Sequence, residues 1–157
     1  MEGFTETHEH KDLRDSIRRA LGPWHAFVVA LDGVDAAGKS TLARYLAWQL
    51  GMPAVETDLF LDEAEGGLTY RLDCLRDVVQ GRLSRNRPVI VEGVRVLQLL
   101  HDVGINEDFL VWVEQEDHTG SFGLQKELDE YTGKFGPRKR ANTTFRWRLD
   151  TTEESGI

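Results

Sequence analysis

A glycine-rich stretch carries the clearest chemical signal in this sequence. Residues 33–41 read Gly-Val-Asp-Ala-Ala-Gly-Lys-Ser-Thr and match the pattern Gly-x-x-x-x-Gly-Lys-Ser/Thr without a mismatch. Glycines let backbone N–H groups turn toward a polyphosphate, and the positive end of a following helix faces the same anion. Lys39 would place a positive charge on the outer phosphates, and the Ser40 hydroxyl would ligate Mg²⁺. The stretch predicts a nucleotide-binding loop whose candidate contacts are Gly33, Asp35, Ala36, Ala37, Gly38, Lys39, Ser40 and Thr41.

The elements around this loop alternate between strands and helices. Apolar runs predict strands over 26–31, 53–55, 89–91 and 109–113, and an alternating pattern predicts an edge strand over 143–149. Helical spacing of apolar residues predicts helices over 7–21, 42–50, 68–84, 94–103 and 121–131. This alternation favours one α/β domain over 1–157, with a mostly parallel sheet of about five strands and helices on both faces. Within it, 1–22 holds the N-terminal helix, and 150–157 is expected to be a loose tail.

Acidic side chains follow several of the predicted strands. Asp58 lies in a polar loop over 56–67, Glu92 directly follows the strand over 89–91, and Glu114 follows the strand over 109–113. Ligands of parallel sheets bind beyond the carboxyl ends of the strands. We therefore expect these carboxylates to lie near the glycine-rich loop, in a site assembled from separate stretches of the chain.

Composition excludes several classes of function. The 157 residues include 19 Lys and Arg against 27 Asp and Glu, a net charge of −8, which disfavours general nucleic-acid binding. The longest apolar run, 26–31, is too short to cross a membrane. A single cysteine, Cys74, and the lack of a signal segment at the N-terminus predict a cytoplasmic protein. His8 and His10 are too few for a zinc site, and we interpret them as solvated residues of a helix start.

The motifs and their order resemble one family of enzymes. No Asn-Lys-x-Asp sequence for guanine is present, and the small size favours a metabolite or nucleotide kinase. The loop over 33–41, then Asp58-Leu-Phe60, then Val89-Ile-Val-Glu92-Gly93 resemble the compact P-loop kinases that include uridine kinase, phosphoribulokinase and pantothenate kinase. The resemblance spans about 27–113. It implies a three-layer P-loop NTPase fold, with ATP and Mg²⁺ as cofactors.

The same resemblance suggests roles for individual residues. Asp58 would take the proton from the accepting hydroxyl, with Asp62 or Glu56 as substitutes, and a turn or helix-cap role for Asp58 is the alternative. Glu92 would hold Mg²⁺ or its water shell, or would cap the following helix. Lys39 would assist catalysis as well as binding, through its charge on the transferring phosphoryl group.

The residues of the acceptor pocket and of the lid are less defined by motif. Phe60, Tyr70 and Arg71 are candidates for the acceptor pocket by position, although the aromatic side chains could equally belong to the core. The expected lid over 116–125 contains no Arg or Lys, unlike the family pattern. Arg138 either supplies that charge from a displaced lid or lies in a solvated turn, and Arg95 is a second candidate that could also contact the substrate.

Together these features predict a Mg-ATP-dependent kinase that phosphorylates a hydroxyl group of a small metabolite, with a nucleoside as the expected acceptor. The loop also resembles that of thymidylate kinase, so a nucleoside monophosphate kinase is an alternative. The missing lid arginines suggest a third possibility, an ATP-binding regulator without useful turnover. The expected partners are ATP and a small-molecule acceptor, and a homodimer is left open.

Overall fold

A five-stranded parallel sheet forms the centre of the molecule. The computed structural model describes residues 4–64, 68–116 and 125–148. The strands are β1 (Val28–Gly33), β2 (Ala54–Glu56), β3 (Val89–Glu92), β4 (Phe109–Gln115) and β5 (Thr143–Trp147). Their order is β2-β3-β1-β4-β5, and every neighbouring pair is parallel. The predicted α/β class with a parallel sheet of five strands is confirmed.

Helices cover the sheet from both sides. They are α1 (His8–Leu21), α2 (Lys39–Leu50), α3 (Leu72–Leu83), α4 (Val96–Asp102), α5 (Gln125–Phe135) and α6 (Pro137–Arg140), with one turn of 3₁₀ helix over Thr57–Phe60. Apolar residues of α1 and α2 join one hydrophobic cluster, and those of α3, α4 and α5 join the other. Among these described helices none is long and apolar enough to cross a membrane.

The central strand shows why the sequence adopts this arrangement. Val29 and Leu31 of β1 lie in the cluster with α1 and α2, whereas Val28 and Ala30 lie in the cluster with α3, α4 and α5. All six residues of the strand are buried. A strand covered on both faces reads as a continuous apolar run rather than an alternating one, which is the pattern of the sequence here.

Several predicted boundaries were wrong. The helix expected from residue 68 begins at Leu72, because Tyr70 instead forms an antiparallel bridge with Leu61. The helix expected to end at Tyr131 continues to Phe135. The 3₁₀ turn and α6 were predicted as irregular loops. The start of the helix expected from 121, most of the expected lid and the predicted tail over 150–157 lie outside the described residues.

His10 also differs from its prediction. It was expected to be solvated, but its ring is 1% exposed and packs edge-on against Tyr45, Phe145 and Trp147. Desolvation lowers the pKa of His10. The expectation of a solvated residue was therefore wrong for His10, whose ring packs α1 against β5.

Candidate functional site

The glycine-rich loop lies at the carboxyl end of β1 and leads directly into α2. Gly38 adopts a left-handed backbone, with φ of 83°, and Ala36 does so as well, with φ of 58°. A side chain at Gly38 would lie 2.4 Å from the indole Nε1 of Trp147, so only glycine fits where the loop passes β5. The loop forms one wall of a cleft of about 530 Å³, lined by residues 35–41 together with Thr57, Asp58, Leu61, Leu68, Tyr70, Glu92, Gly93 and Val94.

Lys39 is folded back onto the loop that carries it. Its Nζ donates hydrogen bonds to the carbonyl oxygens of Gly33, at 3.1 Å, and Val34, at 2.6 Å. The side chain is only 6% exposed, and burial lowers its pKa despite the opposing attraction of nearby carboxylates. The ammonium therefore lies at the base of the cleft, where a phosphate group could replace the carbonyl contacts.

Ser40 and Glu92 meet across the cleft as the resemblance implied. The Ser40 hydroxyl donates to Oε1 of Glu92 at 2.8 Å. Glu92 ends β3 and is 3% exposed, and desolvation raises its pKa although the hydrogen bond from Ser40 and the charge of Lys39 oppose this. A hydroxyl and a carboxylate at this separation are oxygen ligands of the kind that Mg²⁺ prefers.

Two more carboxylates complete an acidic cluster. Oxygens of Glu56, Asp58 and Glu92 all lie within 4.8 Å of one another, while Arg44 pairs with Glu56 at 2.6 Å. Three carboxylates this close repel one another, and a divalent cation would relieve that repulsion. This donor set therefore fits Mg²⁺, with Ser40 and Glu92 as its first candidate ligands.

A close backbone contact brings Asp58 to this position. A Cβ at Gly93 would lie 1.8 Å from Oγ1 of Thr57, so the 3₁₀ turn packs directly on the backbone after β3. Thr57 is 1% exposed. Only glycine at 93 permits this approach, and the next residue in the turn, Asp58, consequently faces Glu92.

The far wall of the cleft is apolar and aromatic, with Arg95 behind it. Tyr70 lines the cleft, and burial raises its pKa, opposed by the charge of Arg95. Arg95 has a left-handed backbone, with φ of 55°, and its Nη2 donates to the carbonyl of Leu68 at 3.1 Å. Its buried Nε has no hydrogen-bond partner among the described residues. Arg95 therefore supports the wall formed by Leu68 and Tyr70 rather than lining the cleft.

Three other sequence candidates do not line the cleft. Phe60 packs in the hydrophobic cluster beneath α3, as the core alternative anticipated. Arg71 is exposed and donates to the carbonyl of Leu59 at 3.0 Å. Arg138 is exposed on α6 and pairs with Glu114 at 3.5 Å. The sequence interpretation also missed Leu61 and Leu68, because single leucines in a loop carry no chemical signature.

The structure is similar to those of several solved proteins. A "possible uridine kinase" from Bacillus stearothermophilus has 19% sequence identity to this chain and a TM-score of 0.60, over 87% of this chain and 97% of that protein. A sugar kinase from Janibacter sp. HTCC2649 has 14% identity and a TM-score of 0.52, over 77% and 85%. The fold is that of the P-loop kinases.

A tyrosine kinase domain also shares this fold. The kinase domain of the Escherichia coli tyrosine kinase ETK has 12% identity and a TM-score of 0.54, over 94% of this chain and 79% of that domain. No protein-family model and no curated protein matches the sequence at a significant level. Because one fold serves such different proteins, the function of this chain must be argued from the site itself.

Proposed function

We propose that this protein is a kinase that uses Mg-ATP to phosphorylate a hydroxyl group of a small metabolite, with a nucleoside as the expected acceptor. One observation carries the proposal: Lys39, Ser40, Glu92 and Asp58, from three separate stretches of the chain, line a single cleft. The first three match the needs of a nucleotide and its metal, and the fourth provides a carboxylate on the acceptor side.

The roles of these residues follow from their positions. The loop N–H groups and Lys39 would hold the phosphates, and Ser40 and Glu92 would hold Mg²⁺, which neutralises charge that develops on the phosphates. The acceptor oxygen forms its bond to the γ-phosphorus while the bond to the ADP oxygen breaks. Asp58 would orient the hydroxyl and receive its proton. ADP and the phosphorylated acceptor are then the products.

The walls of the cleft favour an acceptor that combines hydroxyl groups with an apolar face. Leu61, Leu68 and Tyr70 offer apolar and aromatic surface in the same cleft as the carboxylate of Asp58. A nucleoside has sugar hydroxyls for the carboxylate and a flat base for the aromatic ring. This combination supports a nucleoside over a simple sugar acid.

Few basic residues line the cleft, and this affects the choice between the proposed kinase, a nucleoside monophosphate kinase and an ATP-binding regulator. Of the described residues that line it, Lys39 alone is basic. A monophosphate acceptor would need a second set of cationic contacts, for which arginine is best suited, so the scarcity favours a hydroxyl on an uncharged acceptor. It also supports a second candidate function, an ATP-binding regulator, because Arg138 is engaged with Glu114 away from the cleft.

Measurement of ADP release tests the proposal. Purified protein with Mg-ATP is assayed against nucleosides, nucleoside monophosphates, pantothenate and sugar acids. We expect one nucleoside-like acceptor to stimulate ADP release, and Asp58→Asn to reduce that rate about 10²- to 10⁴-fold, the usual contribution of general acid–base catalysis.

Two further variants sharpen the test. Asp62→Asn tests whether the neighbouring carboxylate of Asp62 is the base instead. Asp73→Asn is the matched control, because Asp73 is exposed on α3 and pairs with Arg76. Tight Mg-ATP binding with no stimulating acceptor would refute the kinase proposal and favour the regulator.

A further inference from the structure

A buried carboxylate lies beneath the phosphate loop, and the proposed chemistry does not use it. Asp32 immediately precedes the loop and is 1% exposed. Its Oδ1 accepts a hydrogen bond from the Gly33 N–H at 2.8 Å, and its Oδ2 accepts one from the Tyr131 hydroxyl. Burial raises the pKa of Asp32 to about 6, with Tyr131, Gly33 and Lys39 opposing the shift. Burial disfavours the charged form of this carboxylate, and ionisable groups perturbed in this way are often found at functional sites.

Asp32 and Lys39 both form hydrogen bonds with the backbone of Gly33. Asp32 accepts the N–H of Gly33, and Lys39 donates to the carbonyl oxygen of Gly33 at 3.1 Å. The charge of Asp32 is the largest influence that opposes the lowered pKa of Lys39. Asp32 therefore acts on the ammonium of Lys39 through its charge, without a direct ion pair, and the phosphates of a bound nucleotide would bring further negative charge to the same ammonium.

Tyr131 fixes the carboxylate in place from the other side of the sheet. Its hydroxyl donates to Asp32 and accepts the N–H of Leu97 at 3.3 Å, so it joins α5 and α4 to the end of β1. Its ring packs against Phe135, with centroids 5.3 Å apart. The hydroxyl thus has a polar role that is separable from the packing of the ring.

We propose that Asp32, held by Tyr131, is a positioning residue that keeps Lys39 on the loop carbonyls and limits the affinity of the loop for Mg-ATP. The inference rests on the proposed function only in taking Mg-ATP as the nucleotide. With the charge of Asp32 removed, fewer carboxylates compete with the phosphates for Lys39, and the repulsion between the phosphates and the buried Asp32 disappears. Nucleotide affinity then rises, whereas loss of a merely structural residue would lower it.

Calorimetric titration with Mg-ATP, without any acceptor, tests this directly. Asp32→Asn keeps the size of the side chain and an oxygen for Gly33, and we expect its Kd to fall roughly three- to tenfold, as removal of a buried charge near the ligand predicts. Asp108→Asn is the matched control: Asp108 accepts the N–H of Val28 at the opposite end of β1, and its loss is expected to leave Kd unchanged.

Tyr131→Phe provides a second variant if Asp32→Asn fails to fold. Loss of the hydroxyl removes a hydrogen bond that stabilises the charged form of Asp32, so its pKa rises further. The charged or titratable groups that act on this carboxylate are Tyr131 of α5 and Lys39 of α2. We expect Tyr131→Phe to bind Mg-ATP more tightly than the wild type at pH 7 and equally at pH 9, where Asp32 is ionised in both.

The outcomes separate the inference from the proposed function. Unchanged or weaker binding by a folded Asp32→Asn variant, with a normal wild type, overturns the inference alone, and so does weaker binding by Tyr131→Phe at pH 7. A wild type that does not bind Mg-ATP overturns both. Absence of any phosphoryl acceptor refutes only the kinase proposal, because the titration contains no acceptor.

Discussion

The contact between Gly93 and Thr57 makes the position of Asp58 experimentally accessible. In Gly93→Ala the new methyl carbon would begin 1.8 Å from the Thr57 hydroxyl, against an ordinary contact of 3.4 Å or more, so the two must separate by about 1.6 Å. Thr57 is buried in the 3₁₀ turn that carries Asp58, so we expect this separation to displace the turn. A displacement of about 1 Å at a reacting group can cost on the order of 10²-fold in rate. We expect kcat/KM for phosphoryl transfer to fall by about that factor.

A double-mutant cycle checks this reasoning. Thr57→Ala removes the hydroxyl that collides, and in the Gly93→Ala background it should recover at least about tenfold of the lost kcat/KM, a coupling of about 1.4 kcal/mol. The Kd for Mg-ATP should stay within about twofold throughout, because the phosphate loop does not move. If the two changes are simply additive, or if Gly93→Ala retains full activity, the contact does not position Asp58 and the argument is wrong.

Three further predictions concern the metal, the acceptor wall and pH. Ser40→Ala should raise the Mg²⁺ concentration for half-maximal activity about 10- to 100-fold, with exposed Ser84→Ala as the control. Arg95→Gln, which loses its contact with Leu68, should raise the acceptor KM about tenfold and leave the Kd for Mg-ATP unchanged in the same preparation. Asp32 has a pKa of about 6 when folded against an ordinary 3.8, so its contribution to stability becomes unfavourable as pH rises through that window. Asp32→Asn should therefore raise the free energy of unfolding in urea at pH 7.5 by up to about 3 kcal/mol and by little at pH 4.

Local sequence carries enough information for the phosphate loop and for most of the strands. The loop contacts come from one contiguous stretch, 33–41, and their roles depend on residue type and spacing within a few positions. Strands buried on both faces leave continuous apolar runs that are visible without any knowledge of their neighbours, as the run over 26–31 does for β1. For the same reason Glu92, at the end of such a run, could be placed near the loop before its hydrogen bond with Ser40 was known.

Other features depend on contacts between distant residues, and only the tertiary structure decides them. Asp32 and Tyr131 are 99 positions apart, and neither has a motif that predicts the other. The same holds for Arg138, whose basic neighbours suggested a catalytic role until α6 placed it against Glu114. The residue types indicate which side chains could take part in the chemistry. The packing of the helices and strands determines which of those side chains share a cleft. A hydroxyl, a carboxylate or a guanidinium acts through its distance to a partner, and that distance is a property of packing rather than of sequence order.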